Sequence, residues 1–195
     1  MTDTFEFFSR LARQRRSIFP AMYSGEAVPD ETIRQLLEIA NWAPTHRKTE
    51  PWRFHVFGGE ARQRVSDYLA GYYKDHTPPE QFSEIKYKKN QRKPLQSSHI
   101  LFICMQRDPQ ERVPEWEELA AVSCAVMNLW LGCAALGLGC YWSSPQAALE
   151  AGDFLQLAPG ERCLGLFYTG VPKPGLELPA ERGPVADKVR WHGEE

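Results

Sequence analysis

The sequence predicts an α+β fold in which helices wrap a central mixed β-sheet. Short apolar runs typical of buried strands, such as His99–Met105, occur among longer segments with a helical apolar repeat. These segments do not follow the strict strand–helix–strand order of a parallel α/β fold. The 195 residues, 43% of them hydrophobic, suffice for one domain. We expect that domain to span residues 1–174 and a polar tail to span residues 175–195.

The first half of the chain is predicted to contain three helices and one strand. Apolar residues at helical spacing indicate helices over Phe5–Arg15, from Pro29 through Ala40, and over Glu60–Tyr73. Pro29 suits a first helical turn, because a missing N–H costs nothing there. Trp52–Phe57 alternates apolar and polar residues, with its first, third and fifth residues on the apolar side. This alternation predicts a half-buried strand.

The segment Asp75–Ser98 has few apolar residues and many cations. The cations include Lys86, Lys88, Lys89, Arg92 and Lys93. A plain charged surface is the simplest interpretation, and a solvated lid over a site or a nucleic-acid patch are the alternatives. The formal net charge of −2 argues against a dedicated nucleic-acid binder, for which a strongly basic domain is expected.

The second half is organised around one buried strand and one long helix. The continuous apolar run His99–Met105 indicates a fully buried central strand. Glu115–Leu138 is apolar on almost every face, as a buried or membrane-spanning helix would be. Ser123, Asn128 and the absence of a basic anchor argue against the membrane. Such a helix needs more cover than one small domain supplies, so we predict a homodimer with this helix in the interface.

Two short helices and two strands complete the predicted domain. Gly137–Ser144 ends the long helix with glycines and enters a short strand, although a simple glycine C-cap also explains these glycines. Gln146–Gly152 and Asp153–Leu157 are typical of short helices, and Arg162–Gly170 is typical of an apolar strand.

The cysteines and histidines predict no metal site and a reducing compartment. The five cysteines are odd in number and form no Cys-x-x-Cys pair, and the five histidines are scattered. We therefore expect reduced, buried thiols that act as small hydrophobes. The N-terminus lacks a basic region followed by an apolar run, so we expect no signal peptide and a cytoplasmic protein.

Two stretches place polar groups where a ligand could bind. Arg15-Arg16-Ser17 follows the first helix, and two guanidinium groups beside a hydroxyl match phosphate oxygens. Solvated arginines at a helix C-terminus are the alternative. The polar loop Thr45–Glu50 lies between a predicted helix and a predicted strand, and loops held by a rigid scaffold often form sites. An ordinary polar connection is the alternative for this loop.

These stretches resemble the FMN-dependent nitroreductase family. Ala-Pro-Thr at 43–45 and Glu-Pro-Trp at 50–52 are similar to its Ala-Pro-Ser and Gln-Pro-Trp signature. Arg15-Arg16-Ser17 resembles its Arg-Arg-Ser opening, and Gly137–Trp142 resembles its Gly-hydrophobic-Gly…Trp segment. The resemblance covers Phe5–Pro172 and is greatest to the compact single-domain NAD(P)H nitroreductase subgroup, with Val113–Glu117 contributing to it.

The resemblance implies an FMN oxidoreductase. NAD(P)H would pass a hydride to flavin N5 and be replaced by a nitroaromatic, quinone or enone acceptor, in ping-pong order. The flavin performs this chemistry, so no catalytic side chain is expected. The resemblance also implies a homodimer with FMN at the subunit interface. The C-terminal tail would reach the partner subunit, where Val189–Trp191 would add an edge strand.

The resemblance assigns site residues position by position. The implied cofactor-binding residues are Arg15, Arg16, Ser17, Trp42, His46, Lys48, Glu50, Trp142, Ser143 and Ser144. Among them, Trp42 and His46 would reach the flavin of the partner subunit. The implied nicotinamide-binding residues are Gly132, Cys133, Ala134, Ala135, Leu136 and Gly137.

Three departures from the family pattern affect these expectations. Ile18-Phe19 stands where the wider family often places a cation beside flavin N1, and we predict that Lys48 or Arg47 replaces it. Ser143 stands at an arginine position of close relatives, and Glu50 stands at a glutamine position. A flavin-binding carrier or sensor without turnover is therefore the alternative function, and the fold hosts other flavin chemistry as well.

Overall fold

The structure is a computed structural model that describes residues 2–193. The helices are α1 (Asp3–Gln14), α2 (Asp30–Asn41), α3 (Ala61–Asp75), α4 (Glu84–Gln96), α5 (Glu115–Ala135), α6 (Gln146–Leu149) and α7 (Gly152–Leu155). The strands are β1 (Trp52–Gly58), β2 (His99–Gln106), β3 (Gly139–Ser143) and β4 (Glu161–Gly170). Each predicted helix and strand of the domain is present, with ends shifted by a few residues.

The four strands form one sheet in the order β1-β2-β4-β3, and every neighbouring pair is antiparallel. The α+β class is confirmed, but the sheet is antiparallel rather than mixed. The reason lies in β4. The single helix α5 joins β2 to β3, and these two strands run in the same direction because both are antiparallel to β4. Since β4 inserts between them, no parallel pair forms.

The sheet is covered on both faces. Leu101, Ile103 and Phe167 face a core shared with α2 and α5. Ile100 and Phe102 face a second core shared with α3, α6 and α7. Seven of the eight β2 residues are buried, so the predicted central strand is confirmed. In β1, by contrast, the alternation is interrupted, since the fifth residue is exposed and the sixth is buried.

Helix α5 is buried on only part of its circumference. It ends at Ala135 rather than Leu138, and Leu119 and Met127 remain 38% and 41% exposed. By length and composition it is the one helix within residues 2–193 that could cross a membrane. In this chain it packs on α2 and the sheet, and Glu118 in its first turn is buried in an ion pair with Arg107.

Three other segments differ from the sequence expectation. Helix α1 has no buried residue, and its phenylalanines at 5, 7 and 8 are each just over half exposed. The charged segment contains an ordered helix, α4, which packs on α3 through a hydrogen bond from Ser66 Oγ to the Gln91 carbonyl (2.9 Å). The described part of the tail contains a short 3₁₀ turn, Val185–Lys188, and no strand. A lid role for α4 and a strand on a partner subunit stay predictions.

Candidate functional site

Arg15 is a partly buried cation without a full set of partners. It caps the C-terminus of α1, and its guanidinium carbon lies 4.6 Å from the centre of the Trp130 ring. Its Nη1 is buried and has no hydrogen-bond partner within residues 2–193. Burial lowers the pKa of Arg15 below its usual value, and the neighbouring Arg16 and Arg182 lower it further. An anion would supply both the missing acceptor and the missing counter-charge.

A cavity of about 140 Å³ lies beside this guanidinium. It is lined by Leu11, Gln14, Arg15, Arg16, Ile18, Trp130, Ala134, Gly137, Leu138 and Cys140. The cavity therefore brings both predicted phosphate-binding arginines to the C-terminal end of α5. Two of the predicted nicotinamide-binding residues line the same cavity.

The other arginine, Arg16, donates hydrogen bonds to backbone carbonyls. Its Nη1 donates to the carbonyls of Arg13 (2.6 Å) and Arg15 (2.8 Å), and its Nε donates to the carbonyl of Leu178 (3.4 Å). The next residues are fixed to the edge strand, because the Ile18 amide donates to the Cys140 carbonyl at 2.9 Å. The segment Arg15–Ser17 thus runs beside the start of β3.

The predicted residues Trp142, Ser143 and Ser144 extend from the same edge. Trp142 Nε1 donates to the Leu164 carbonyl at 3.2 Å, and its indole lies against Gly165. Ser143 is half-buried and Ser144 is exposed. The structure therefore places both segments on the edge strand β3, Arg15–Ser17 beside its start and Trp142–Ser144 at its end.

The loop between α2 and β1 has an unusual backbone. Arg47, Lys48 and Glu50 all have left-handed φ angles (51°, 54° and 43°) although none is glycine. Each such residue costs about 1–2 kcal/mol, and such outliers cluster at functional sites. Thr45 Oγ1 stabilises the loop by accepting the Glu50 amide at 3.2 Å. This hydrogen bond and the left-handed backbone angles together fix the positions from which the side chains of Arg47, Lys48 and Glu50 project.

This loop lies far from Arg15 within one chain. His46 Nδ1 is 2.5 Å from Glu117 Oε2 in the first turn of α5, and Trp42 is 80% exposed. Arg15, in contrast, stacks on Trp130 near the other end of α5. At about 1.5 Å per residue, the two helix positions are about 20 Å apart along the axis. One chain therefore does not bring the two groups of predicted cofactor residues together.

The predicted nicotinamide stretch divides into packed and exposed residues. A Cβ on Gly132 would lie 2.7 Å from Leu36 Cδ2, so this glycine permits close packing of α5 on α2. Cys133 is fully buried and offers no surface to a ligand. Ala135, Leu136 and Gly137 are exposed and Ala134 is half-buried. A binding role for these four stays a prediction.

Sequence reasoning missed the partners of the predicted residues. Trp130 stacks under Arg15, Glu117 pairs with His46, and Tyr23 Oη donates to the Ile18 carbonyl at 2.8 Å. The first two contacts join residues distant in sequence, and the third forms across a turn, so no helix or strand periodicity indicates any of them. The one available signal was the tryptophan itself, an aromatic ring large enough to support a cation.

A second charged cluster supports the N-terminus of α5. The buried Glu118 carboxylate accepts the Asp108 amide at 2.9 Å in addition to pairing with Arg107. Asp108 accepts two bonds from the Arg112 guanidinium, at 2.8 and 3.1 Å. These bonds from Arg112 lower the pKa of Asp108 to about 2. The cluster fixes the turn of α5 that holds Glu117 against the loop.

The chain is similar in sequence to one family of known proteins. The sequence profile described as "Nitroreductase family" matches residues 12–171. The "Putative NAD(P)H nitroreductase YfhC" of Bacillus subtilis is 30% identical over 181 residues, which cover 91% of this chain and 90% of that protein.

Two solved structures extend the likeness to the fold. A "putative nitroreductase in complex with FMN" from Desulfovibrio desulfuricans is 26% identical, with a TM-score of 0.73 and coverage of 96% of this chain and 97% of the other. NfnB of Mycobacterium smegmatis, an FMN-dependent nitroreductase solved with NADPH, shares the fold at 16% identity (TM-score 0.77, 97% and 100% coverage). With most of its length matched by the family profile and by a relative of similar size, the chain belongs to the nitroreductase family.

Proposed function

We propose that this protein is an FMN-dependent oxidoreductase that uses NAD(P)H to reduce a small acceptor of the nitroaromatic, quinone or enone class. Family membership supports the reaction type. The FMN complex from Desulfovibrio and the NADPH complex of NfnB support the cofactor and the donor. A cytoplasmic location suits such a donor.

The observation that carries the proposal is the buried Nη1 of Arg15, which has no hydrogen-bond partner within residues 2–193. This nitrogen needs an acceptor, and the FMN phosphate is one of the right charge. Ser17 adds a half-buried hydroxyl two residues along the chain, and Trp142, Ser143 and Ser144 lie in and directly after the edge strand β3. The residues present therefore fit the group. When bound, FMN supplies the hydride-transfer chemistry.

We infer that a second copy of the chain completes the site. Trp42, His46, Lys48 and Glu50 lie at the opposite end of α5 from Arg15, so they reach an FMN held there only from a partner subunit. Lys48 or Arg47 would then supply the cation that Ile18-Phe19 lacks, and a positive charge near the flavin pyrimidine stabilises the anionic reduced form. The open apolar side of α5 supplies a surface for the contact.

The proposal is tested by the visible spectrum of the purified protein, recorded before and after anaerobic NADH or NADPH. We expect a flavin spectrum that bleaches with the donor and returns on addition of an acceptor. Donor and acceptor would use one pocket in turn, so initial-rate plots should give parallel lines. Absence of flavin after incubation with FMN would overturn the proposal.

The second candidate, a flavin carrier or sensor, is favoured by one observation. Residue 50 is a glutamate, and a carboxylate at the position proposed for it beside the flavin would oppose flavin reduction. A bound flavin that stays oxidised with either donor would support this candidate. Rapid bleaching followed by reoxidation with an acceptor would exclude it.

A further inference from the structure

Three strands bring a histidine, a cysteine and a glutamate to one point. Donor atoms of His55 in β1, Cys104 in β2 and Glu161 in β4 all lie within 4.8 Å of one another. His55 Nε2 is 3.3 Å from Glu161 Oε1. Cys104 is fully buried, and the side chains of Glu161 and His55 are 9% and 32% exposed. None of these residues belongs to the cofactor site described above.

The strand register explains why these side chains meet. His55 is the ladder partner of Phe102, and Phe102 and Cys104 lie on one face of β2 because side chains alternate along a strand. Glu161 is the ladder partner of Gln106, again two residues from Cys104. Both outer donors are therefore diagonal neighbours of the central thiol, at the distance where long side chains reach each other.

We propose that His55, Cys104 and Glu161 form a binding site for a divalent cation of the zinc class. Imidazole nitrogen, thiolate sulfur and carboxylate oxygen are the three donor types that Zn²⁺ takes in proteins. Tetrahedral zinc with bonds of about 2.0–2.3 Å needs donors about 3.3–3.8 Å apart. The His55–Glu161 pair already meets this distance, and the thiol is within about 1 Å of it.

The fourth position of the metal faces the open side of the cluster. His55 is its most exposed member, so solvent supplies a water ligand there. Cys163, the ladder partner of Cys104, is buried, and its thiol donates to the Gly165 carbonyl at 3.5 Å. Metal binding removes the proton of the Cys104 thiol and releases it to solvent, as coordination by thiolate requires.

The site would join three strands of the sheet at the end remote from β3. A plain histidine–glutamate ion pair above a buried thiol is the competing interpretation of the same cluster, and it predicts no metal affinity. Because an ion that binds only the folded state stabilises it by mass action, zinc should raise the Tm of the protein if the site exists.

The test uses Co²⁺ as an optical probe of the full-length protein. We expect one Co²⁺ per chain, with d–d absorption bands of tetrahedral intensity at wavelengths beyond the flavin absorption. Zn²⁺ should displace them. His55→Gln, which changes a partly exposed side chain, and Cys104→Ser should each weaken binding at least tenfold. Cys124→Ser, a change at a half-buried cysteine outside the cluster, should bind as tightly as the wild type.

Two results would overturn the proposal. Absence of the tetrahedral bands in wild-type protein would leave the ion-pair interpretation. Bands of equal intensity and affinity in the wild type and in His55→Gln would show adventitious binding elsewhere. His55→Gln keeps the test sharp even if Cys104→Ser fails to fold, and the readout does not depend on FMN or on turnover.

Discussion

The residue that most constrains the site is Arg15, because its burial has two opposite effects. Contact with Trp130 stabilises the cation through its ring face, whereas desolvation leaves Nη1 without an acceptor. A buried donor left unpaired costs about 1–3 kcal/mol. The proposed phosphate at this position would recover that cost, so Arg15 would contribute to anion affinity beyond its charge alone.

Arg15→Ala should therefore weaken FMN binding by about tenfold to a hundredfold, since a hydrogen bond to a charged group contributes about 1.5–3 kcal/mol. The dissociation constant is measured by flavin fluorescence titration of the apoprotein. Arg13→Ala, an exposed arginine two residues earlier on α1, is the matched control and should bind FMN normally. Equal affinities of the two variants would contradict the role assigned to Arg15.

Asp108 should control acid stability. Its folded pKa is lowered to about 2 by Arg112, so its stabilising effect is fully present above the unfolded pKa and is lost as the pH falls. Asp108→Asn cannot titrate. We expect the free energy of unfolding of the wild type to fall more steeply than that of Asp108→Asn between about pH 5 and pH 2. The free energy of unfolding of both proteins is measured by urea unfolding at each pH. An equal decrease in the two proteins over this range would contradict the prediction.

At this scale the sequence predicted which residues are chemically suited to a cofactor, but not their contacts. The suitability of Arg15-Arg16-Ser17 for binding a phosphate can be recognised from three adjacent residues. The metal-type cluster is not, because its donors come from three strands and have no ligand spacing. The sequence therefore predicted no metal, and that expectation conflicts with the site proposed above.

Among the elements, β4 has the most demanding geometry. The register of β2 against β4 shifts between Ile103 and Cys104, and Gly165 beside this irregularity has φ +136°. A Cβ there would lie 2.5 Å from the Ser143 carbonyl oxygen and 2.7 Å from Trp142 Nε1. The close approach of β3 to β4 thus requires glycine, and the position of the Trp142 indole depends on it.

Gly165→Ala should lower the free energy of unfolding by at least about 2 kcal/mol, through backbone strain and overpacking. It should also weaken FMN retention, because Trp142 and Ser143 must move. Gly71→Ala in α3 is the matched control. No atom beyond the adjacent residues and the surrounding helix backbone lies within 4 Å of its added Cβ, so the change should stabilise the protein by about 0.5–1 kcal/mol. Urea unfolding of both variants checks the two signs, and a neutral Gly165→Ala would refute the packing argument.

The elements that were predicted correctly have strong one-dimensional patterns. The apolar run of β2 and the long apolar stretch of α5 needed only composition and period. The all-antiparallel sheet did not follow from these patterns. They show where each strand begins and ends, but not that β4 inserts between β2 and β3. The exposure of α1 could not be predicted either. An amphipathic pattern indicates an apolar helix face, but not whether the surface that covers this face belongs to the same chain.

For the whole molecule, the proposed cofactor site needs residues from two chains. The arginine end and the loop end lie about 20 Å apart along α5. Trp42 is 80% exposed, and α1 and α5 leave apolar side chains uncovered. A two-fold dimer with antiparallel α5 helices would cover these faces and place each loop beside the partner's arginines. This arrangement satisfies both the packing and the chemistry.

The shared site predicts complementation between two defective copies. Arg15→Ala and a loop variant, Trp42→Ala with Lys48→Ala, should each bind little FMN as homodimers. A heterodimer of the two has one site with both defects and one with none. It should therefore bind one FMN per dimer at wild-type affinity, measured on differentially tagged, co-purified protein. A heterodimer that binds no FMN, or a protein that is monomeric by light scattering, would refute the shared site.

The strand order also affects how the nascent chain can fold during its synthesis. The completing strand, β4, lies between β2 and β3 in space but is the last strand to be synthesised. Until it emerges, β2, buried over nearly its whole length in the finished sheet, has one unpaired edge. We therefore expect truncations before Glu161 to aggregate rather than fold.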